Sequence, residues 1–323
     1  MLSVVVPMFN ELDALPHFAR RLRPILNDLP GAYEVVCVDD GSSDGTPQAL
    51  LAMQVDWPQL SLVQLRRNAG HQAALTAGME HARGDWIVSI DADLQDPPEA
   101  IPEMLRVAMD TGVDVVYGVR SDRTSDTRFK RVTAGFYYRA MRRAAGVEIP
   151  HHAGDFRLMS RAALDEVRQL DERGRVYRLL IPYMGFSSGE VAYRRDPRVA
   201  GESKYPLHKM LKLGIESYTS FTTAPLRFAT WLGLIGFVLC SGFATLSLVA
   251  FFLGATLPGW TSVAIVLGFI GAVQFFFLGM LGEYLARIYT EIQSRPLYFL
   301  STERRGPGFQ GGGEQPSEAE RRD

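Results

Sequence analysis

Residues 86–93 read Trp86-Ile87-Val88-Ser89-Ile90-Asp91-Ala92-Asp93. An apolar, partly β-branched run of strand length ends on two carboxylates with one small residue between them. The same format recurs along the first part of the chain. Short strand-type runs occupy Leu2–Pro7, Tyr33–Asp39, Leu60–Leu65, Trp86–Asp91 and Val113–Gly118. Helical patterns fill the gaps, at Glu11–Leu29, Thr46–Val55, Gln72–Ala82 and Glu99–Asp110. Strands alternating with helices predict an α/β domain with a mostly parallel sheet and helices on both faces. In such sheets ligands bind beyond the carboxyl ends of the strands. The polar residues ending these runs are therefore the candidates for chemistry.

Asp91 and Asp93 repel one another when ionised unless a cation lies between them. A hard divalent ion such as Mg²⁺ or Mn²⁺ suits oxygen ligands and commonly takes substrate phosphates as well. Gln95 adds a further carbonyl oxygen at the right spacing. A pair of solvated loop carboxylates is the other account of the same string. Asp39-Asp40-Gly41-Ser42 ends the second strand; it reads as a turn before a helix capped by Ser43, Asp44 or Thr46, with Asp39 free to face a ligand. Pro7-Met8-Phe9-Asn10-Glu11 ends the first, where Phe9 either flanks a base or packs on the core.

The composition sets outer bounds. The chain has 323 residues, 47% hydrophobic and 22% charged, with a net charge of −2. That suits one or two folded domains and leaves no electrostatic footprint for nucleic acid. Two cysteines, Cys37 and Cys240, both in apolar runs, make no disulfide scaffold. The chain has no glycine-rich dinucleotide fingerprint, no Gly-x4-Gly-Lys phosphate loop, no Gly-x-Ser-x-Gly elbow and no zinc-protease His pair.

The average conceals two regimes. From Phe228 to Gly282 there is no Asp, Glu, Lys or Arg. A bilayer core takes about 20 residues per helix, so this stretch predicts two spans, Phe228–Leu253 and Ser262–Gly282, turning at Leu257-Pro258-Gly259. Lys204, Lys209, Lys212 and Arg227 precede the hairpin, and Arg287, Arg295, Arg304 and Arg305 follow it. The positive-inside rule then puts both flanks in the cytoplasm. Met1 leads straight into an apolar strand with no signal-peptide pattern. The expected organisation is a cytoplasmic domain over 1–202, an interface segment over 203–226 containing the amphipathic Leu207–Ser220, two membrane helices over 227–286, and a partly disordered cytoplasmic tail over 287–323.

Taken together, several strings resemble glycosyltransferase family 2. They are Val6-Pro7-Met8-Phe9-Asn10-Glu11, Val38-Asp39-Asp40-Gly41-Ser42 and Asp91-Ala92-Asp93-Leu94-Gln95-Asp96-Pro97-Pro98. Asn68-Ala69-Gly70-His71-Gln72, Gly154-Asp155-Phe156-Arg157-Leu158, Gly201-Glu202-Ser203-Lys204-Tyr205 and Leu281-Gly282-Glu283-Tyr284 are similar to the polyprenyl-phosphate glycosyltransferases, of the bactoprenol glucosyltransferase and dolichol-phosphate mannose synthase type. The resemblance covers about residues 1–300.

The resemblance implies a GT-A type nucleotide-sugar-binding domain, an inverting transfer and a polyprenyl (undecaprenyl) phosphate acceptor at the bacterial inner membrane. It implies UDP-glucose as donor, with mannose, an N-acetylhexosamine or aminoarabinose as alternatives. It also implies a homo-oligomer, a tetramer in related proteins. Pro7, Phe9, Glu11, Asp39, Asp91 and Ala92 would hold the nucleotide sugar, and Asp91, Asp93 and Gln95 the Mg²⁺ or Mn²⁺. Asp93 and Asp155 would serve the reaction, Asp155 either as base or by positioning Arg157 or a sugar hydroxyl. Arg120, Arg131 and Lys204 would bind the acceptor phosphate. Gly135 stands where relatives often carry Ser, leaving Thr133 to supply a hydroxyl. A processive polysaccharide synthase would carry a Gln-x-x-Arg-Trp string, which this chain lacks; a catalytically dead membrane-tethered scaffold would have lost the Asp91/Asp93 pair, which is intact.

Overall fold

A computed structural model describes residues 1–121, 153–170, 176–194 and 259–307, with scattered positions between 231 and 253. The chain divides into two compact units. The first comprises Met1–Tyr138, Val147–Lys204 and Pro296–Asp323; the second comprises Arg139–Gly146 and Tyr205–Arg295.

The first unit opens with three strand–helix repeats: β1 (Leu2–Met8), α1 (Leu15–Asp28), β2 (Tyr33–Asp39), α2 (Thr46–Asp56), β3 (Leu60–Leu65) and α3 (His71–His81). Then come β4 (Trp86–Ser89), a 3₁₀ turn at Pro98–Ala100, α4 (Ile101–Thr111) and β5 (Val115–Arg120). β6 (Ala153–Ser160), α5 (Arg161–Arg168), α6 (Tyr177–Met184), β7 (Ser188–Tyr193) and β8 (Leu300–Arg304) complete it. The sheet order is β7-β5-β6-β4-β1-β2-β3-β8. β4, β1, β2 and β3 run parallel. β6 is antiparallel to both its neighbours, and β7 is parallel to β5. This is a mostly parallel α/β sheet of GT-A type.

β1 and β2 are buried at every position, as a strand covered on both faces requires. α1 lays Leu15, Phe18, Leu22 and Leu26 on the sheet at helical spacing. Each such side chain contributes about 1.5–3 kcal/mol of burial. α3 lies so close that a Cβ on Gly78 would stand 2.3 Å from Val5 Cγ1.

Two boundaries differ from the sequence reading for identifiable reasons. α1 starts at Leu15 rather than Glu11, because residues 10–12 are held by the neighbouring loop. β4 ends at Ser89: Ile90 N–H still donates to Val5 O at 3.1 Å as the last rung on β1, and no pairing with β1 follows it. β6, β7 and β8 lie outside the strand-type runs of the sequence. β8 comes from the segment expected as a tail and pairs antiparallel with β3.

The second unit contains α7 (Trp260–Ile292), a helix of 33 residues. Scattered positions from Trp231 to Phe252 are also helical. Among the described residues no helix is long and apolar enough to cross a membrane. The expected first span falls largely outside them, as do Leu207–Ser220 and Cys240.

Candidate active site

The carboxyl ends of β1, β2 and β3 are tied into one platform. Asn10 N–H donates to Ser42 Oγ at 2.8 Å, and Ser43 N–H returns a bond to Asn10 Oδ1 at 2.9 Å. Glu11 N–H donates to Thr46 Oγ1 and Leu12 N–H to Asp44 Oδ2. Asp40 then accepts the N–H groups of Ala69 and Gly70 at 2.6 and 2.9 Å, drawing in the loop before α3. Asn10 sits at φ 53°, a left-handed conformation that Asn tolerates better than most residues. Pro7 is a buried residue of β1, Phe9 is 37% exposed, and Asp39 is wholly buried at the end of β2. Burial raises the Asp39 carboxyl, against the opposing hydrogen bonds from Ser42.

Residues 91–96 alternate between half-buried and buried. Asp91, Asp93 and Gln95 stay partly open, while Ala92, Leu94 and Asp96 turn inward. Leu94 is 2% exposed at φ 57°, strain that is sustained because its side chain fills the core. Ala92 likewise packs in the core, 3% exposed. Gln95 N–H donates to Asp93 Oδ1 at 3.1 Å.

Although 40% of the Asp91 side chain is exposed, the protein encloses its carboxyl closely enough to raise it to about 6. Asp155, Asp93 and Asp96 push the same way and His71 opposes them. Among the described residues no group of three or more His, Cys, Asp or Glu is gathered as a metal cage. The residues present nevertheless fit a hard divalent ion bound in part by substrate: the donors are all oxygen, and crowded carboxylates favour a cation.

β6 brings the second centre. Asp155 is 17% exposed, and its backbone carbonyl accepts a hydrogen bond from Ser89 Oγ on β4. Its two oxygens are divided. Oδ1 accepts from Nη2 of Arg157, at 2.7 Å. Oδ2 lies 3.4 Å from His71 Nε2 and 3.9 Å from Arg178 Nη2. The same His71 nitrogen is 3.9 Å from Asp91 Oδ1, so one imidazole links the two acidic centres. Burial pushes the Asp155 carboxyl up, but the His71 hydrogen bond and the Arg157 and Arg178 charges outweigh it and hold the group well below the usual carboxylate range.

Arg120 ends β5 with its Nε 3.5 Å from Tyr193 Oη, which itself donates to buried Asp96 at 2.5 Å. This expected phosphate ligand is thus anchored beside the acidic motif, 33% exposed. Arg131, Lys204, Thr133 and Gly135 lie outside the described residues. Arg178 is a site neighbour that residue patterns do not single out, and His71, though part of the quoted Asn68–Gln72 string, is given no role by them. His71 opens α3 and Arg178 sits on α6, far from Asp155 in sequence. Only a contact between elements reveals their place beside Asp155.

The family model described as Glycosyl transferase family 2 matches residues 3–168. An uncharacterized glycosyltransferase of Bacillus subtilis, YkcC, is 40% identical over 301 residues, covering 92% of each chain. The SfII prophage-derived bactoprenol glucosyl transferase of Shigella flexneri is 38% identical over 308 residues, covering 94% of this chain and 99% of its own. Among solved structures, the mannosyltransferase PcManGT of Pyrobaculum calidifontis, in complex with GDP-Man and Mn²⁺, is 20% identical with a TM-score of 0.48, covering 90% of this chain and 86% of that one. The family model over residues 3–168 and the near full-length relatives from Bacillus subtilis and Shigella flexneri agree: the chain belongs to glycosyl transferase family 2.

Proposed function

We propose that this chain transfers glucose from UDP-glucose to a polyprenyl phosphate, with inversion at the anomeric carbon. The observation that carries the reading is end-to-end similarity to a bactoprenol glucosyl transferase. The acidic pair Asp91 and Asp93, set beside a linked Asp155, is the chemistry such a transfer uses. The tied loops after β1 and β2, with Phe9, Glu11 and Asp39, would hold base and ribose. Asp91, Asp93 and Gln95 would hold Mg²⁺ or Mn²⁺, which when bound neutralises a departing nucleoside diphosphate.

The acceptor phosphate monoester has its second ionisation near 6 and is largely dianionic at neutral pH. It needs cations more than it needs a base. Arg120 stands at the site, and Arg131 and Lys204 complete the set expected from the sequence. A lipid acceptor also accounts for the charge-free stretch Phe228–Gly282. The second arm of that stretch falls on α7 (Trp260–Ile292). On this reading the enzyme is a multi-pass protein of the bacterial inner membrane, with its catalytic unit cytoplasmic and copies assembled as an oligomer.

The test is incubation of the purified full chain with undecaprenyl phosphate and a panel of nucleotide sugars. Lipid-linked glucose should form from UDP-glucose, stop with EDTA and return with Mn²⁺ or Mg²⁺. The Asp93→Ala variant should yield none under any metal. A product carrying mannose, an N-acetylhexosamine or aminoarabinose instead would move the donor assignment; full activity of Asp93→Ala would sink the metal reading.

A further inference from the structure

The start of α6 is fastened more firmly than a helix end requires. Tyr177 is 1% exposed. Its N–H donates to Gln72 Oε1 at 3.2 Å and its hydroxyl pairs with Thr76 Oγ1 at 3.1 Å, both on α3. Its carbonyl accepts from Nη1 of Arg157 at 2.8 Å. Three buried or part-buried hydrogen bonds thus fix the backbone on which the next residue, Arg178, stands. That side chain is 41% exposed, and its guanidinium reaches to 3.9 Å from Asp155 Oδ2.

The charges around Asp155 explain why this matters. Arg157, fully buried, takes Oδ1 at hydrogen-bond distance and balances the carboxylate by itself. Arg178 is then a second cation on the same carboxylate, outside hydrogen-bond distance and open to solvent. A guanidinium on a rigid base, with donors left for a further partner, is preorganised for an oxyanion with several acceptor oxygens. The shared chemistry of the candidate ligands is a phosphate group, borne either by the donor diphosphate or by the acceptor lipid. The metal motif already lies on the Asp91 side of His71 and serves the first. Arg178 lies on the Asp155 side.

Resting on the function proposed above, we propose that Arg178 binds the phosphate of the polyprenyl acceptor, with Asp155 acting as the positioning residue that aims it. Asp155 then has no need to accept a proton. Its strongly depressed carboxyl accords with that role, since a carboxylate hydrogen-bonded by His71 and held ionised by the Arg157 and Arg178 guanidiniums is a poor base.

The experiment uses the full chain with UDP-glucose and undecaprenyl phosphate, comparing wild type with Arg178→Gln and Arg178→Lys. A lost charge-assisted contact should raise the acceptor KM by about ten- to a hundredfold, with the UDP dissociation constant changed by less than about twofold. Lysine should restore part of the acceptor affinity, which a purely structural role would not do. Binding of citronellyl phosphate, followed by ³¹P line broadening, gives a second readout independent of turnover. Wild type should broaden the line and Arg178→Gln should not. A variant with weakened UDP binding and unchanged acceptor KM overturns the assignment in favour of the donor diphosphate. Variants identical to wild type in both overturn it outright. A wild type that neither glucosylates the lipid nor binds the prenyl phosphate removes the functional reading and this proposal together, whereas an active wild type with an indifferent Arg178 removes only the proposal.

Discussion

Arg157 and Asp155 stand two residues apart on β6 and meet at 2.7 Å, the arginine with no exposed surface at all. The pair is a structural element as well as a part of the site. Arg157 also donates to the carbonyls of Tyr177 and Gly154, so it joins β6 to α6 through one buried guanidinium.

Asp155→Asn leaves that cation uncompensated, and breaking a buried pair costs about 3–5 kcal/mol. The urea midpoint of the variant should fall accordingly, and the double variant Asp155→Asn/Arg157→Met should recover part of the loss. The pH dependence follows from the sign of the shift. The folded carboxyl lies below its unfolded value of about 3.9, so its stabilising contribution is present above that pH and lost as pH falls through the folded value. The stability gap between wild type and Asp155→Asn should hold from pH 7 down to about 4 and close below it. A gap that does not change with pH would show that the pair does not act through ionisation.

Asp39 has the opposite sign. Burial raises its folded carboxyl above the unfolded value, so the ionised group at neutral pH works against the fold. The stability it contributes is present below the unfolded value and lost as pH rises through the folded one. Asp39→Asn should therefore melt higher than wild type at pH 7, with the advantage shrinking toward pH 4. The same variant should bind UDP about tenfold more weakly if the carboxylate contacts the nucleoside. Calorimetry on one preparation checks both halves, and a variant that loses stability while keeping nucleotide affinity would remove Asp39 from the donor site.

The contrast between these two aspartates shows what could be read from the chain and what could not. Asp39 ends a run buried on both faces, and such a run announces both a central strand and the functional residue at its tip. β1, β2 and β3 were legible for that reason. β6 was not, because its string Ala153-Gly154-Asp155-Phe156-Arg157 places a charged pair inside a central strand, where composition argues for a loop. The pair is tolerated because its members satisfy each other. β7 alternates exposed and buried positions as an edge strand does, with Gly189 weakening the pattern. His71 lies in a string that resembles the family, but its link to Asp155, like that of Arg178, appears only once α3 and α6 converge on that residue. Arg120 is a candidate the sequence offers, whereas its contacts with Tyr193 and Asp96 are visible only in the fold.

Cys37 lies fully buried in β2, where burial pushes its thiol far above the ordinary range. A thiol that cannot ionise does not react. In a Cys240→Ser background the native protein should take up no thiol reagent at pH 8, and one equivalent in denaturant. The labelling rate under native conditions then measures opening of the central sheet. Prompt labelling of the folded protein would mean that β2 is not packed as described.

The last strand offers a test of how the chain returns to its catalytic unit. β8 covers the edge of β3, which would otherwise present unpaired backbone groups to other chains. Gln54 Nε2 donates to Arg304 O at 2.9 Å, and Arg66 N–H to Phe299 O at 2.8 Å. Just beyond, Gly306 passes so near the chain before β3 that an added Cβ would lie 2.0 Å from Pro58 O and 2.6 Å from Leu60 O. Both obstacles are backbone atoms and cannot rotate aside, so Gly306→Ala must displace the segment. Overpacking of this kind costs about 1–3 kcal/mol. The variant should show faster amide exchange at 300–304 and along β3, easier tryptic cleavage at Arg304 and Arg305, and a greater tendency to aggregate through the uncovered edge. Exchange that rises uniformly over the whole sheet would instead mark a general loss of stability, and unchanged exchange would mean that β8 is held without this close approach.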